Sequence, residues 1–111
     1  MERSLPPLVE QVLDRFAAQL RQRFGPRLLE LRLFGSYARG EADERSDLDV
    51  FVLLDLVSWA DRKEVLDLAG DLWRDTELFV APLIVDRAQY ETWRRQERPL
   101  FQAIALEGLA R

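Results

Sequence analysis

Two aspartates one residue apart, Asp47 and Asp49, head an apolar run, and ten residues separate them from a Gly-Ser pair, Gly35-Ser36, that ends another apolar run. Alternate residues of a strand share a face, so the two carboxylates point the same way. Like charges that close resist ionising together unless a cation sits between them. A Gly-Ser turn offers unencumbered backbone N–H groups, and glycine lets an anion approach closely. Together these residues read as a triphosphate cradle beside a divalent-metal site. Each half alone is ordinary, since Gly-Ser often marks only a turn and Asp often only caps or solubilises a strand. The joint pattern is rarer: two apolar strands, a tight turn, a second glycine at Gly40, and paired carboxylates in one register.

The composition narrows the chemistry. The chain has no histidine and no cysteine, which removes thiolate and imidazole metal sites, catalytic triads and disulfides. A metal must then be held by oxygens, which favours Mg²⁺ or Mn²⁺. A net charge of −4 argues against broad nucleic-acid binding. No apolar run approaches the ~20 residues of a membrane span, and the first residues lack a signal-peptide core, so a cytoplasmic protein is expected. Fifteen arginines against the single Lys63, with no asparagine, hint at a thermophilic source. At 111 residues, 48% of them hydrophobic and 32% charged, residues 1–111 are expected to form one domain. A chain of that size buries about 65% of its unfolded surface.

The elements that must position the carboxylates follow from periodicity. Ser4, Pro6 and Pro7 read as a helix start, and Val9, Val12, Leu13, Phe16, Ala17, Leu20 and Phe24 keep helical spacing up to Gly25-Pro26. Leu29, Leu31 and Leu33 alternate with charged residues and predict a strand into the Gly-Ser turn. Asp47 to Leu54 predicts a second strand, apolar on both faces beyond Asp49 and hence central. Ser58 and Asp61 form a capping-box pattern for a helix to about Arg74, with Val65, Leu68, Ala69 and Leu72 inward. Glu77 to Val85 predicts a third strand, with Pro82 marking an edge or a bulge. Asp86 with Gln89 opens a helix carrying Tyr90 and Trp93, and Pro99 opens a last one through Leu106. The fold class is α/β (α+β) in the order α-β-β-α-β-α-α, helices packed on a small sheet.

The strings Phe34-Gly35-Ser36-Tyr37-Ala38-Arg39-Gly40-Glu41-Ala42 and Ser46-Asp47-Leu48-Asp49-Val50 resemble the signature of the DNA polymerase beta-like nucleotidyltransferases. The form is most similar to the minimal nucleotidyltransferases (MNT) of bacteria and archaea. The close match covers Leu33 to Leu54, with a looser likeness of length and element order over nearly the whole chain. The resemblance implies a mixed sheet of three or four strands. It implies that Asp47 and Asp49 are catalytic metal ligands for Mg²⁺ or Mn²⁺, and that Gly35 and Ser36 bind the phosphates of ATP or another nucleoside triphosphate. It also implies transfer of a nucleoside monophosphate, AMP first among the candidates, to a hydroxyl. Relatives normally add a third carboxylate, which by likeness falls near Phe79; Glu77, two residues earlier on the same face, is the candidate replacement as a metal ligand. Arg39 and Lys63 are candidates for phosphate contact, although each also reads as a solvent-facing charge.

Larger nucleotidyltransferases carry an extra domain for the acceptor, and this length leaves none. The acceptor is therefore expected from a partner protein or from a dimer groove. Minimal nucleotidyltransferases commonly pair with an all-helical HEPN toxin, whose tyrosine some relatives adenylylate. Three readings follow: a Mg-dependent transferase acting on a HEPN-type partner as its antitoxin, a weak or inactive nucleotide-binding antitoxin that masks its partner, and a structural relic of the fold.

Overall fold

The computed structural model describes residues 5–43 and 45–111, so the expected helix start at Ser4 lies outside it. Helix α1 spans Pro7–Phe24, with Pro6 as N-cap and Gly25, at φ 53°, closing it. The seven apolar residues at helical spacing are its buried face. A 3-10 turn over Gly25–Arg27 leads into β1, Leu28–Phe34. Next come α2 (Ser36–Arg39), β2 (Leu48–Leu54), α3 (Trp59–Thr76), β3 (Val80–Asp86), α4 (Arg87–Arg95), α5 (Pro99–Glu107) and β4 (Leu109–Ala110).

Local signals set most boundaries. The Ser58 hydroxyl accepts from the Asp61 amide at 3.0 Å while the Asp61 carboxylate accepts from the Ser58 amide at 3.0 Å, which completes the capping box of α3. The inward residues of α3 are Val65, Leu68, Ala69 and Leu72, as the spacing predicts. Asp86 caps α4 by accepting from the Gln89 amide at 2.7 Å.

The sheet is mixed, in the order β3-β2-β1-β4. β1 runs antiparallel to β2 and to β4, whereas β2 and β3 are parallel. β2 is central and apolar on both faces. Val50, Val52 and Leu54 join α1 and α3 in one core, while Phe51 and Leu53 meet Val85, Phe101 and Ile104 on the other side. Helices therefore cover both faces of the sheet rather than a single one. Pro82 lies on the edge strand β3, where its missing N–H is tolerated.

Strand starts are corrected at two places, and the first is β2, which begins at Leu48 and leaves Asp47 just before it. β3 begins at Val80, not Glu77: Glu77 instead closes α3 as its C-cap, in the left-handed region at φ 60°. The fourth strand that the resemblance allows is β4, which periodicity does not locate because two residues pairing with Arg32 and Leu33 carry too little of it.

Candidate functional site

The site begins where β1 ends. Phe34 pairs in register with Asp49, so the turn after β1 falls beside the start of β2. Gly35 adopts φ 76° and ψ −156°, a region essentially reserved for glycine. A Cβ placed there would drive into the Asp49 carboxylate, its Cγ only 3.1 Å away and its Cβ 3.2 Å away. The backbone at Gly35 and the Asp49 side chain thus share one corner, and only a residue without a side chain leaves room for both.

Ser36 starts α2, a single turn whose N-cap is Gly35 and which has no side-chain cap. The first amides of a helix lack intrahelical acceptors, and Ser36 stands at that position immediately after Gly35. Gly40 closes the turn in the left-handed conformation, its N–H donating to the Ser36 and Tyr37 carbonyls. Tyr37 packs against the core and Ala38 is buried, which anchors the turn from below. Across the loop, the Asp43 carboxylate accepts from the Arg45 amide at 2.8 Å, and the Ser46 hydroxyl accepts from the Asp43 amide at 3.0 Å. These local bonds bring the chain into Asp47 in a defined direction.

Asp49 is half-buried and lies on the same face of β2 as Phe51 and Leu53, one step beyond the aromatic cluster. Asp47 is exposed just before the strand. Burial, then the neighbouring Asp47 charge, pushes the Asp49 carboxyl above its usual range, while Arg39 pulls it back. Arg39 itself donates to Glu41 at 3.0 Å, and Lys63 to Asp67 at 3.1 Å on the outside of α3.

Gly35, Ser36 and Asp49 are brought to one corner of the sheet, with Asp47 beside them. Glu77 does not join them: it is exposed at the end of α3, three residues before β3. Among the described residues no group of three or more carboxylates could hold a metal ion. The parallel register sets Ala81 beside Asp49. Val80 and Ile84 belong to the α1–α3 side and Leu83 and Val85 to the other, so alternation puts Ala81 on the Asp49 face. Phe79 packs instead edge-on against Trp73 of α3, ring centres 6.1 Å apart. Sequence reasoning missed Ala81 because only the pairing of β2 with β3 identifies the neighbour of Asp49.

Known proteins are similar to this chain in sequence and in fold. A segment of 44 residues is 50% identical to the protein adenylyltransferase MntA of Thermococcus cleftensis, covering 40% of this chain and 42% of that protein. The chain thus matches less than half the length of that relative. A solved protein assigned as a minimal nucleotidyltransferase is 32% identical with a TM-score of 0.54, over 96% of this chain and 98% of that one. One chain of a toxin–antitoxin crystal structure with AMP-PNP is 26% identical with a TM-score of 0.55, over 87% and 70%. The profile of the nucleotidyltransferase domain matches residues 13–106. With its Gly-Ser corner set against Asp49 on a four-stranded mixed sheet, the chain belongs to the nucleotidyltransferase domain family and is one of its minimal members.

Proposed function

We propose that this chain binds a nucleoside triphosphate, ATP first, at the Gly35–Asp49 corner and transfers its nucleoside monophosphate to a hydroxyl of a helical, HEPN-type toxin partner, acting as the antitoxin of the pair. The observation that carries the reading is Gly35: a strained glycine conformation is kept where a side chain would strike Asp49. The donor set fits a hard divalent cation, since the corner offers carboxylate oxygens and the chain has neither histidine nor cysteine. Asp47 and Asp49 would hold Mg²⁺ or Mn²⁺. When bound, that ion supplies charge neutralisation at the phosphates and a lowered pKa for a coordinated hydroxyl.

The protein's own part is positioning. The Gly35 and Ser36 amides and the Ser36 hydroxyl bind the β- and γ-phosphates, fixing the α-phosphorus over the carboxylates. The acceptor oxygen forms its bond to that phosphorus, the bond to the bridging oxygen breaks, and pyrophosphate leaves with the electron pair while the hydroxyl proton is released. Support for an adenine nucleotide and a toxin partner comes from the relatives, one named a protein adenylyltransferase and another solved within a toxin–antitoxin complex with AMP-PNP.

One observation favours a slower, masking antitoxin: Ala81, not an acid, stands beside Asp49 on the shared face. Losing a general base typically costs 10²–10⁴-fold in rate. Titration of ATP with Mg²⁺ and with EDTA tests the site, and label transfer from ATP to a co-expressed helical partner tests the reaction. ATP should bind more tightly with Mg²⁺, and Asp47→Asn with Asp49→Asn should remove the difference. Equal binding with and without metal would sink the site; binding without transfer would leave the masking role.

A further inference from the structure

Helix α3 carries a second pattern that the nucleotide site does not use. Trp59, Leu66 and Trp73 recur every seven residues on its outer side and are 80%, 50% and 48% exposed, and Phe79, 47% exposed, extends the stripe through its contact with Trp73. At 150–250 Å² for each aromatic side chain, the stripe leaves on the order of 500 Å² of apolar surface open. That is near the upper end of what a monomer shows in one patch, and more than half of the ~800 Å² each partner contributes to a standard interface.

Gly70 lies in the middle of this stripe, inside a helix, where glycine is the least favourable residue after proline. A Cβ there would meet nothing within 4 Å, so the chain's own packing does not demand glycine. Glycine at an open helix position suits the close approach of another backbone.

The charges beside the stripe are arranged about the same residue. Lys63 stands seven residues before Gly70 and Glu77 seven after; Asp67 stands three before and Arg74 four after. Reversing the helix about Gly70 lays Lys63 opposite Glu77 and Asp67 within one residue of Arg74, so each of these four charges has its opposite in reach. A surface complementary to its own reversed copy is the requirement of a two-fold, isologous contact, and a different protein would require no such arrangement. The bonds these groups make now, Lys63 to Asp67 at 3.1 Å and Arg74 to Asp71, are exposed pairs within one helix that exchange at little cost.

We propose that the outer stripe of α3 is the contact through which two copies of this chain pair, their α3 helices antiparallel and crossing at Gly70. Sedimentation of the 111-residue chain alone at micromolar concentration is the test, with circular dichroism verifying the fold of each variant. The parent should sediment as a dimer. Gly70→Gln should be a folded monomer. Lys63→Glu and Glu77→Lys should each weaken the dimer about tenfold, and the two together should restore it. A monomeric parent, a dimer indifferent to all three substitutions, or a double variant weaker than either single one would overturn the proposal. So would a monomeric parent that binds a helical partner through this face, because the stripe would then belong to another protein.

Discussion

The two ends of β2 hold the same raw material and treat it oppositely. At the far end, Asp55 and Asp61 close on Arg27: its Nε donates to Asp55 at 3.1 Å, and its two terminal nitrogens donate to Asp61 at 3.2 and 2.6 Å. Hydrogen bonds from Arg27 and from the Ser58 amide hold the Asp61 carboxyl far below its usual range, and the Leu56 amide, then Arg27, lower that of Asp55. At the near end, Asp47 and Asp49 stand together; the pull of Arg39 on Asp49 does not offset burial and the Asp47 charge, and Asp49 is pushed up. A structural carboxylate pair is given its cation by the chain itself. The Asp47–Asp49 pair is left repelling, as the proposed cation site requires.

The largest expected effect falls on the corner itself. Gly35→Ala should reduce Mg²⁺-dependent ATP binding about a hundredfold, because the added Cβ displaces Asp49, and should destabilise the fold by about 1–3 kcal/mol through its backbone conformation. Isothermal titration and thermal melting check the two parts; unchanged binding would mean that the corner is not the nucleotide site. Ala81→Asp should sharpen the contrast by adding a third acid beside Asp49. We expect Mg²⁺ affinity to rise about tenfold and melting in EDTA to fall by a few degrees, recovering with Mg²⁺.

The far end should respond only in stability. Arg27→Leu should lower the melting temperature by a few degrees at neutral pH while leaving ATP binding alone. Asp55 and Asp61 have lowered folded pKa values, so their contribution is present above the ordinary carboxylate value of 3.8 and is lost as pH falls through the lower folded values. The gap between parent and variant should therefore close in acid. Asp49→Asn, the smallest effect, should shift melting with the opposite sign. The raised folded pKa of Asp49 makes its ionisation a penalty, absent below 3.8 and growing as pH rises through and above that value. The variant should melt slightly higher at neutral pH, equally in acid, and without the rise that Mg²⁺ gives the parent. A fall at neutral pH would mean that Asp49 is a structural carboxylate like Asp61.

The sequence alone determined the features that depend on near neighbours. The buried faces of α1 and α3, the Ser58–Asp61 box, the Asp86 cap and the doubly apolar β2 are each written within a few turns or a few alternations of chain. The Gly35-Ser36 and Asp47-x-Asp49 pattern is legible over an equally short stretch of chain, although β2 begins at Leu48 and leaves Asp47 just outside the alternation. Long-range packing settled what remained. α3 ended at Glu77 through a left-handed non-glycine residue, which carries no strong signal, and so removed that glutamate from the strand. The antiparallel register of β1 on β2 set Gly35 against Asp49, and the parallel register of β3 made Ala81, not Glu77, the neighbour of Asp49. Register is decided by which pairing buries the most apolar surface on both sides of the sheet at once, a sum over residues far apart in the chain.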